Sequence, residues 1–248
     1  MPAEALNGKV AFVTGGSRGI GAAITRRLAK DGAAVVITYV NGKEKADTVV
    51  SGILADGGKA LALKADNRDA GEIAAAIENT VKEFGRLDIL VNSAGIWHAA
   101  PLDRVTLADF DDVMAVNFRA VFAAVSAAVP HLGTGGRVIT IGSNLAESVP
   151  WPGISLYAAS KAALIGLTKG LARDLGPQGV TVNVVHPGST DTDMNPAAGD
   201  HAEQQRERIA TGSFGSPDDI ASLVAWLASS EGRFVSGASL TVDGGANA

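Results

Sequence analysis

Residues 9–21 read Lys9-Val10-Ala11-Phe12-Val13-Thr14-Gly15-Gly16-Ser17-Arg18-Gly19-Ile20-Gly21. The first six predict a short buried strand, and Ala22 to Lys30, after the glycines, predicts a helix. Glycines in such a turn let the backbone approach a pyrophosphate, and the helix start offers free N–H groups and the positive end of a dipole. The spacing is Gly-x-x-x-Gly-x-Gly and not the commoner Gly-x-Gly-x-x-Gly, and an ordinary strand-to-helix turn has the same outline. Phosphate binding is therefore a hypothesis for which the rest of the chain has to provide support.

Strands and helices alternate after this first unit. Further strands are predicted at Ala34–Tyr39, Lys59–Lys64, Leu87–Val91, Gly136–Ile141, Val180–Val185 and Ser239–Val242. Helices are predicted at Lys43–Leu54, Ala70–Phe84, Ser155–Leu175 and Pro217–Ser229, with more helix across residues 107–131. This alternation predicts an α/β protein with a Rossmann-type doubly wound parallel sheet of about seven strands and helices on both faces.

Length and composition narrow the possible functions. The 248 residues, 46% of them hydrophobic, suit a single domain with a large core. The absence of Cys excludes disulfides and thiolate sites, and the four His residues show no metal-ligand spacing, so we expect no metal. A net charge of −5 without a long basic run argues against nucleic acid or an anionic membrane as the main partner. Met1 to Glu4 lack a signal-peptide pattern, and no uninterrupted apolar run reaches ~18 residues, which predicts a soluble, cytoplasmic protein.

Tyr157 and Lys161 stand four residues apart in a predicted helix, on one helical face. A phenol ionises near pH ~10 in water, and a neighbouring cation lowers that pKa. The pair therefore has the composition of a tuned acid/base, although an exposed helix with a surface tyrosine gives the same pattern.

The ligand of a doubly wound sheet binds beyond the carboxyl ends of its strands. Small or turn-forming residues follow four of the predicted strands, at Gly15–Gly21, Asn92–Gly95, Gly142–Asn144 and Pro187–Gly188. Ser143 lies in the third of these turns, just before the helix of Tyr157. Both side chains can therefore face one crevice, although a serine in a turn after a strand is also common.

These motifs, in this order, resemble those of the short-chain dehydrogenase/reductase family over essentially the full length of the chain. Thr14-Gly15-x-x-x-Gly19-Ile20-Gly21 matches the family's cofactor motif, and Asn92-Ser93-Ala94-Gly95 resembles its Asn-Asn-Ala-Gly with Ser at the second place. Pro187-Gly188 and Thr192 match the nicotinamide-side motif. By overall sequence character the chain is similar to members of the 3-oxoacyl-acyl-carrier-protein reductase type.

The resemblance implies a catalytic set of Asn117, Ser143, Tyr157 and Lys161. Tyr157 would exchange a proton with the substrate oxygen and Ser143 would hydrogen-bond that oxygen. Lys161 would lower the Tyr157 pKa and hold the nicotinamide ribose, and Asn117 would anchor a water linking Lys161 to solvent. Taken alone, Ser143 suits a turn, and Asn117 is a polar residue in an unfavourable mid-helix position.

The expected cofactor contacts extend along all of these motifs. They are Gly15, Ser17, Arg18, Gly19, Ile20, Gly21, Tyr39, Asn41, Asp66, Asn67, Asn92, Ala94, Gly95, Tyr157, Lys161, Pro187, Gly188, Thr190 and Thr192.

The choice between NAD and NADP depends on the end of the second strand. A carboxylate there would bind the adenosine ribose and select NAD, but Tyr39 occupies the position. Arg18 and Asn41 could bind a 2′-phosphate through charge-assisted bonds, and Lys43 could join them or remain a solvated surface charge. We therefore expect NADP(H) to be favoured over NAD(H), and Asp66 to contact the adenine by resemblance.

The substrate side is expected to be apolar. Ser143, Leu145, Trp151, Tyr157 and Met194 are the candidate substrate-binding residues, with Trp97, Val149 and Pro152 as further apolar neighbours. Residues 188–215 show little apolar periodicity and resemble the family's mobile substrate lid. The family is usually tetrameric through the helices that contain Asn117 and Tyr157, so we expect a homotetramer.

The reaction expected is interconversion of a carbonyl, such as a ketone or 3-oxoacyl thioester, and a secondary alcohol. A non-catalytic nucleotide-binding regulator on the same fold and an NAD-preferring alcohol dehydrogenase remain as alternatives. An epimerase or dehydratase using the same Tyr and Lys is less consistent with the short chain, which has no room for a separate substrate domain.

Overall fold

Seven parallel strands form a single sheet in the order β3-β2-β1-β4-β5-β6-β7. The strands are β1 Val10–Thr14, β2 Ala34–Tyr39, β3 Ala60–Lys64, β4 Leu87–Asn92, β5 Leu132–Ile141, β6 Thr181–Pro187 and β7 Ser239–Val242. This computed structural model describes residues 5–248, so the expectation about Met1 to Glu4 lies outside the described residues. The predicted doubly wound parallel sheet is confirmed.

The strand order reverses at β1, which lies between β2 and β4 at the centre of the sheet. Val10 pairs with Ala34 on one side, and Ala11 pairs with Ile89 on the other. Such a reversal opens a crevice at the carboxyl ends of the two central strands, because their crossover helices leave on opposite faces. The glycine-rich turn after β1 therefore lies at the position where this fold binds its ligand.

Helices cover both faces of the sheet. They are α1 Gly19–Lys30, α2 Lys43–Ala55, α3 Ala70–Phe84, α4 Leu107–Met114, α5 Ala120–Ala128, α6 Ser155–Leu175, α7 Ala202–Arg206 and α8 Pro217–Ala228. One core contains Leu28, Val49 and Val224 from α1, α2 and α8, and the other contains Ile77 and Ala124 from α3 and α5.

Alternate residues of β1 supply the two cores. Ala11 and Val13 belong to the first cluster and Phe12 to the second, and all three are fully buried. A strand covered on both faces has no polar side, which explains why its sequence is continuously apolar.

Three differences from the prediction have a clear physical cause, and several other element ends shift by one to three residues. β5 begins at Leu132 and not at Gly136, because glycines 133, 135 and 136 hide the strand propensity of its first half. β6 runs on through His186 to Pro187, which is tolerated at a strand end. Helix α7, within residues 188–215, has no predicted counterpart, because its five residues are too short for a periodic signal.

The helical segment Leu107–His131 is 25 residues long and reaches a mean hydropathy of 1.6. By length and composition it could cross a membrane, although the sequence contains no uninterrupted apolar run of that length. Half of its most apolar stretch is buried, and Val121, Ala124 and Val125 pack within the protein core. A core helix of a soluble protein passes the same test, so this feature does not indicate a membrane protein.

Candidate active site

A cleft of about 1230 Å³ lies along the carboxyl ends of the strands. Every residue predicted to contact cofactor or substrate lines it except Asn92. Ser143, Tyr157 and Lys161 of the proposed catalytic set line it as well, and Asn117 lies behind its wall. Within residues 5–248 no cluster of three or more His, Asp or Glu side chains could hold a metal ion.

The glycine-rich turn has the backbone geometry that a pyrophosphate needs. A Cβ on Gly21 would lie 2.3 Å from the carbonyl oxygen of Gly15, so the turn closes only with glycine there. Helix α1 begins after Arg18 with no side-chain cap and no acidic residue in its first turn, whereas α3 is capped by Asp69 and α4 by Thr106. The first N–H groups of α1 are therefore available to an anion, and the turn fits a dinucleotide phosphate.

The loop after β4 is held by β1. The hydroxyl oxygen of Thr14 accepts hydrogen bonds from the backbone N–H groups of Ser93 and Ala94, at 3.0 and 3.2 Å. Asn92 is 2% exposed and donates to Thr140 Oγ1 at 3.4 Å, and its Oδ1 has no partner within residues 5–248. Asn92 thus supports the wall of the cleft from inside, which differs from the predicted direct contact.

Asn117 occupies a π-helical turn, Ala115–Arg119, that joins α4 to α5. Its Oδ1 accepts from Ile96 N at 2.9 Å, and its Nδ2 donates to Ile96 O and Ser160 Oγ, both at 3.0 Å. The residue is 1% exposed, so these bonds satisfy an amide that would otherwise be costly to bury. Single π turns inside helices are frequent at functional sites. The unfavourable asparagine in the sequence therefore marks a distortion that ties the helix to the cleft wall.

Lys161 reaches the centre of this wall from α6. Its Nζ donates to Ile141 O at 3.1 Å and lies 5.9 Å from the centroid of the Tyr157 ring. A Cβ on Gly95 would lie 3.3 Å from this Nζ and 3.4 Å from Asn117 Oδ1. The lack of a side chain at Gly95 therefore leaves space for both polar groups. Burial lowers the pKa of Lys161 to about 8.

The predicted lowering of the Tyr157 pKa is wrong for the structure. Burial raises this pKa to about 12, and a hydrogen bond with the Ser143 side chain lowers it only in part. The ammonium of Lys161 makes its direct contact with Ile141 O and not with the phenol, and burial weakens its own charge. Spacing along a helix reveals proximity, but the desolvation that decides the sign depends on the whole fold.

Ser143 is held from both sides. Its Oγ accepts a hydrogen bond from Leu145 N at 3.2 Å, and its hydroxyl faces the phenol of Tyr157 in the cleft. On the other side, His186 Nδ1 lies 3.1 Å from Ser143 N and 2.8 Å from Ser143 O. His186 is completely buried, and burial lowers its pKa. The sequence reading missed this histidine, and its position directly before Pro187-Gly188 was the available signal.

The end of the cleft predicted to hold the adenosine contains more charged side chains than the sequence analysis named. Asp66 accepts from Arg68 N at 2.9 Å, and Arg68 pairs with Asp112 at 2.6 Å. Lys43 pairs with Asp47 on the surface and does not line the cleft, which agrees with its surface interpretation. Lys45, which was not predicted, lines the cleft and forms an ion pair with Asp193 at 2.5 Å.

The part of the cleft predicted to bind substrate is lined by aromatic side chains. The rings of Trp97 and Tyr157 are tilted against each other with centroids 4.6 Å apart. Leu145, Trp151 and Met194 line the same region, as predicted, together with Trp97 and Pro152 but not Val149. Met194 is 53% exposed and belongs to the 188–215 segment, which therefore covers one side of the cleft.

The 188–215 segment is bound to itself by a small network. Gln205 exchanges two hydrogen bonds with Asn195, at 2.9 and 3.0 Å, and accepts a third from Ser189 Oγ at 2.6 Å. Thr211 N donates to Gly244 O, which attaches the end of the segment to the C-terminal loop. The segment thus forms a folded flap between two anchored ends.

The chain is similar in sequence and in structure to known oxidoreductases. Residues 15–247 match the family model described as enoyl-(acyl carrier protein) reductase. A dehydrogenase/reductase from Sinorhizobium meliloti 1021 is 73% identical, with a TM-score of 0.98 over 99% of this chain and 98% of that one. A short-chain dehydrogenase from Burkholderia cenocepacia J2315, in complex with NADP, is 59% identical, with a TM-score of 0.97 over 98% and 99%.

A curated relative shows the same likeness. The 3-oxoacyl-acyl-carrier-protein reductase of Staphylococcus aureus (strain Mu50 / ATCC 700699) is 41% identical over 240 residues, or 96% of this chain and 97% of that protein. The chain therefore belongs to the short-chain dehydrogenase/reductase family. It is an oxidoreductase of the class that acts on CH–OH or carbonyl groups.

Proposed function

We propose that this protein is an NADP(H)-dependent reductase that interconverts a ketone, or a 3-oxoacyl thioester, and a secondary alcohol. The observation that carries the proposal is that Ser143, Tyr157 and Lys161 line the same cleft as the glycine-rich turn. A nicotinamide cofactor bound along that turn would supply the hydride, and the protein has to position it and to handle one proton.

Tyr157 is the proposed proton donor. When the carbonyl carbon accepts hydride, negative charge develops on the oxygen, which takes the proton of the phenol and leaves a phenolate to be reprotonated from solvent. A pKa of about 12 keeps the phenol protonated at neutral pH, which is the form that reduction requires. Ser143 donates its hydroxyl hydrogen to the same substrate oxygen. The hydrogen bond that Ser143 Oγ accepts from Leu145 N holds the hydroxyl in place.

Lys161 and Asn117 support this proton transfer. The Lys161 ammonium, 5.9 Å from the Tyr157 ring centroid, stabilises the phenolate as it forms and is placed to hold the ribose of the cofactor. Asn117 holds the backbone of Ile96 and the Ser160 hydroxyl, and so fixes the wall against which Lys161 packs. Its proposed role is positioning, with a water relay to solvent as the family resemblance suggests.

The preference for NADP(H) rests on charge at the adenosine end. The end of β2 has Tyr39 where an NAD-selecting carboxylate would lie, and Arg18 lines the cleft without an ion pair in the described part of the chain. A 2′-phosphate near Arg18 and Asn41 would receive charge-assisted hydrogen bonds. The related structure from Burkholderia cenocepacia is a complex with NADP, which supports the same choice.

The remaining proposals concern the flap and the assembly. Residues 188–215 act as a substrate lid within a single domain, residues 1–248. The protein is a cytoplasmic homotetramer that uses the helices of Asn117 and Tyr157. Exposed apolar residues on α4 and α5, Phe110 and Phe122 at 46% and 53%, support self-association. Light scattering after size-exclusion chromatography tests the assembly, and a monomeric mass would contradict it.

NADPH oxidation at 340 nm against a panel of ketones, diketones and acetoacetyl thioesters tests the proposed reaction. Turnover with at least one carbonyl class supports it. Tight NADPH binding without turnover on any member would favour a non-catalytic nucleotide-binding regulator. Faster turnover with NADH than with NADPH would favour the NAD-preferring alcohol dehydrogenase.

A further inference from the structure

Arg208 lies just beyond α7, in the flap, and lines the substrate side of the cleft. Its side chain is half-buried, and its guanidinium carbon is 5.2 Å from the centroid of the Trp151 ring. Trp151 belongs to the loop between β5 and α6, which also carries Ser143. The contact therefore joins the flap to the loop of the proposed catalytic serine.

Within residues 5–248 the Arg208 guanidinium makes neither an ion pair nor a hydrogen bond to a protein acceptor. The other arginines near it differ. Arg206 also lies over an aromatic ring, that of Phe214, but it pairs with Glu203 at 2.9 Å and donates to the carbonyl of Ala197. Among the arginines that line the cleft, Arg68 is paired with Asp112. Arg18, at the other end, is assigned to the 2′-phosphate by the proposed function, which leaves Arg208 without a partner.

The Arg208 guanidinium lies over the Trp151 ring, and none of its N–H donors is used by a protein acceptor within residues 5–248. The five N–H donors lie in the plane of the group, in a fork that matches a carboxylate or a phosphate. A cation–π contact such as that between Arg208 and Trp151 contributes about 0.5–2 kcal/mol, but it uses none of these donors in a hydrogen bond. A half-buried arginine whose N–H donors are unused in a ligand cleft can therefore bind an anionic group of the ligand.

The acidic residues of the flap do not neutralise this charge. Asp193 is paired with Lys45 at the adenosine end. Asp200 is exposed, lines the same cleft and makes no ion pair with Arg208 among the described residues. The Arg208 guanidinium, beside the Trp151 ring, is thus a positive charge that no acidic side chain of the described residues pairs with.

We propose that Arg208 binds an anionic group carried by the carbonyl substrate, a carboxylate or a phosphate, while Trp97 and Trp151 hold its apolar part. The inference rests on the proposed function, since it names the class of substrate for the same site. A carboxylate would belong to a small oxo acid. A phosphate would belong to the carrier arm of a 3-oxoacyl thioester.

Matched pairs of ligands test the proposal. One pair is 4-acetylbenzoate and its methyl ester, and the other is acetoacetyl-4′-phosphopantetheine and acetoacetyl-pantetheine, which lacks the phosphate. In each pair only the anion is removed from the region remote from the carbonyl. Binding to the protein with NADP⁺ is measured by titration calorimetry, and reduction is measured by NADPH oxidation. The calorimetric readout does not depend on turnover.

The wild-type protein should prefer the charged member of one pair, and the pair that shows the preference identifies the anion. Arg208→Gln should weaken the binding of that charged ligand by about 10- to 100-fold, as expected for loss of a hydrogen-bonded ion contact. The binding of the neutral ligand should change little. Arg208→Lys should recover part of the loss. Arg233→Gln, an exposed arginine outside the cleft, is the matched control and should change neither.

Three results would overturn the proposal. In the first, Arg208→Gln weakens the binding of charged and neutral ligands equally, which would mean that Arg208 only stabilises the flap. In the second, only the affinity for NADP⁺ changes, which would assign Arg208 to the cofactor. In the third, the wild-type protein shows no preference for charged ligands. Failure of the reductase function itself is distinguishable, because turnover would then be absent while the calorimetric comparison still reports on Arg208.

Discussion

The Lys161 ammonium donates a hydrogen bond to Ile141 O at 3.1 Å, at the carboxyl end of β5. The side chain is 5% exposed, and this carbonyl is its only hydrogen-bond acceptor within residues 5–248. Burial of a cation with one neutral partner is costly, which is why its pKa falls from 10.5 to about 8. The site therefore maintains a destabilising charge in the place where the proposed phenolate forms.

Lys161→Met should stabilise the protein at pH 7 by on the order of 3 kcal/mol while it lowers activity, because one pKa unit corresponds to about 1.4 kcal/mol. The folded-state pKa lies below the unfolded value, so the penalty is fully present below pH ~8. Stability of the wild type should then rise with pH as the folded form loses its proton first, up to the unfolded pKa of Lys near ~10.4. Urea unfolding of both proteins at pH 7 and at pH 10 measures this.

The gain from Lys161→Met should accordingly shrink at the higher pH. The variant should also bind NADPH more weakly and raise the midpoint pH of alcohol oxidation, since the cation near the phenolate is gone. Unchanged stability, cofactor affinity and pH midpoint together would make Lys161 a residue without the proposed role.

Arg18→Ala should reduce the preference for NADPH over NADH. Loss of a charge-assisted contact to the 2′-phosphate predicts a fall of about 10-fold or more in kcat/KM for NADPH, with a small effect for NADH. Lys43→Ala is the control, because Lys43 pairs with Asp47 outside the cleft. Equal kcat/KM for the two cofactors in the wild type would remove the basis of the NADP assignment.

His186→Ala should lower kcat markedly and should have a smaller effect on the free energy of unfolding. The ring hydrogen-bonds only with the backbone of Ser143, through Nδ1, and Nε2 has no partner within residues 5–248, so we expect its main effect on the position of that serine. A displacement of a catalytic group by about 1 Å can cost up to ~100-fold. Steady-state kinetics and thermal unfolding of the variant measure the two effects. A loss of stability with unchanged kcat would show that His186 only fills the core.

The pH dependence of His186 has a defined direction. Burial lowers its pKa, so the ring is neutral above its usual value near ~6.5 and the unfolded chain takes up a proton first as the pH falls. The wild type should lose stability as the pH decreases below ~6.5, and His186→Ala should lose less over the same interval.

Asn117→Leu should cost about 1–3 kcal/mol of stability, because the N–H and C=O of Ile96 lose their partners. It should also lower kcat, since Ile96 follows Gly95 in the wall beside Lys161. Asn183→Leu is the matched control. Asn183 is equally buried and bonds to Val235 O and Ala238 N away from the cleft, so it should lose stability but keep kcat. Equal kinetic effects in both variants would remove the positioning role of Asn117.

Local sequence signals were sufficient for most of the fold. The predicted bounds of α3, α6 and β7 coincide with the observed ones, because apolar periodicity and flanking turn residues define them locally. The strand order was not predicted, because right-handed crossovers restrict the arrangement of the strands without fixing their order. What the sequence could not show was the π turn around Asn117, which is a distortion with a tertiary cause.

Site residues that directly follow a strand could be predicted from the sequence. Site residues whose contacts join distant parts of the chain were missed. Ser143 and the glycines were found from their positions after strands. Lys45 and Arg208 were missed, because a contact with Asp193 or Trp151 across the chain leaves no local pattern. His186 adjoins a strand end, but its contact with Ser143 depends on the fold. The sign of the Tyr157 pKa shift was wrong for the same reason, since burial is a property of the assembled cleft.

Tyr157→Phe tests the account most directly, because it removes only the phenolic oxygen and keeps the ring that packs against Trp97. NADPH affinity, measured by titration of cofactor fluorescence, should stay within about 2-fold, and kcat for ketone reduction should fall by ~100-fold or more. The loss should appear in the chemical step, under single-turnover conditions. Retention of more than about a tenth of the wild-type kcat with normal cofactor binding would contradict the role of Tyr157 as the proton donor.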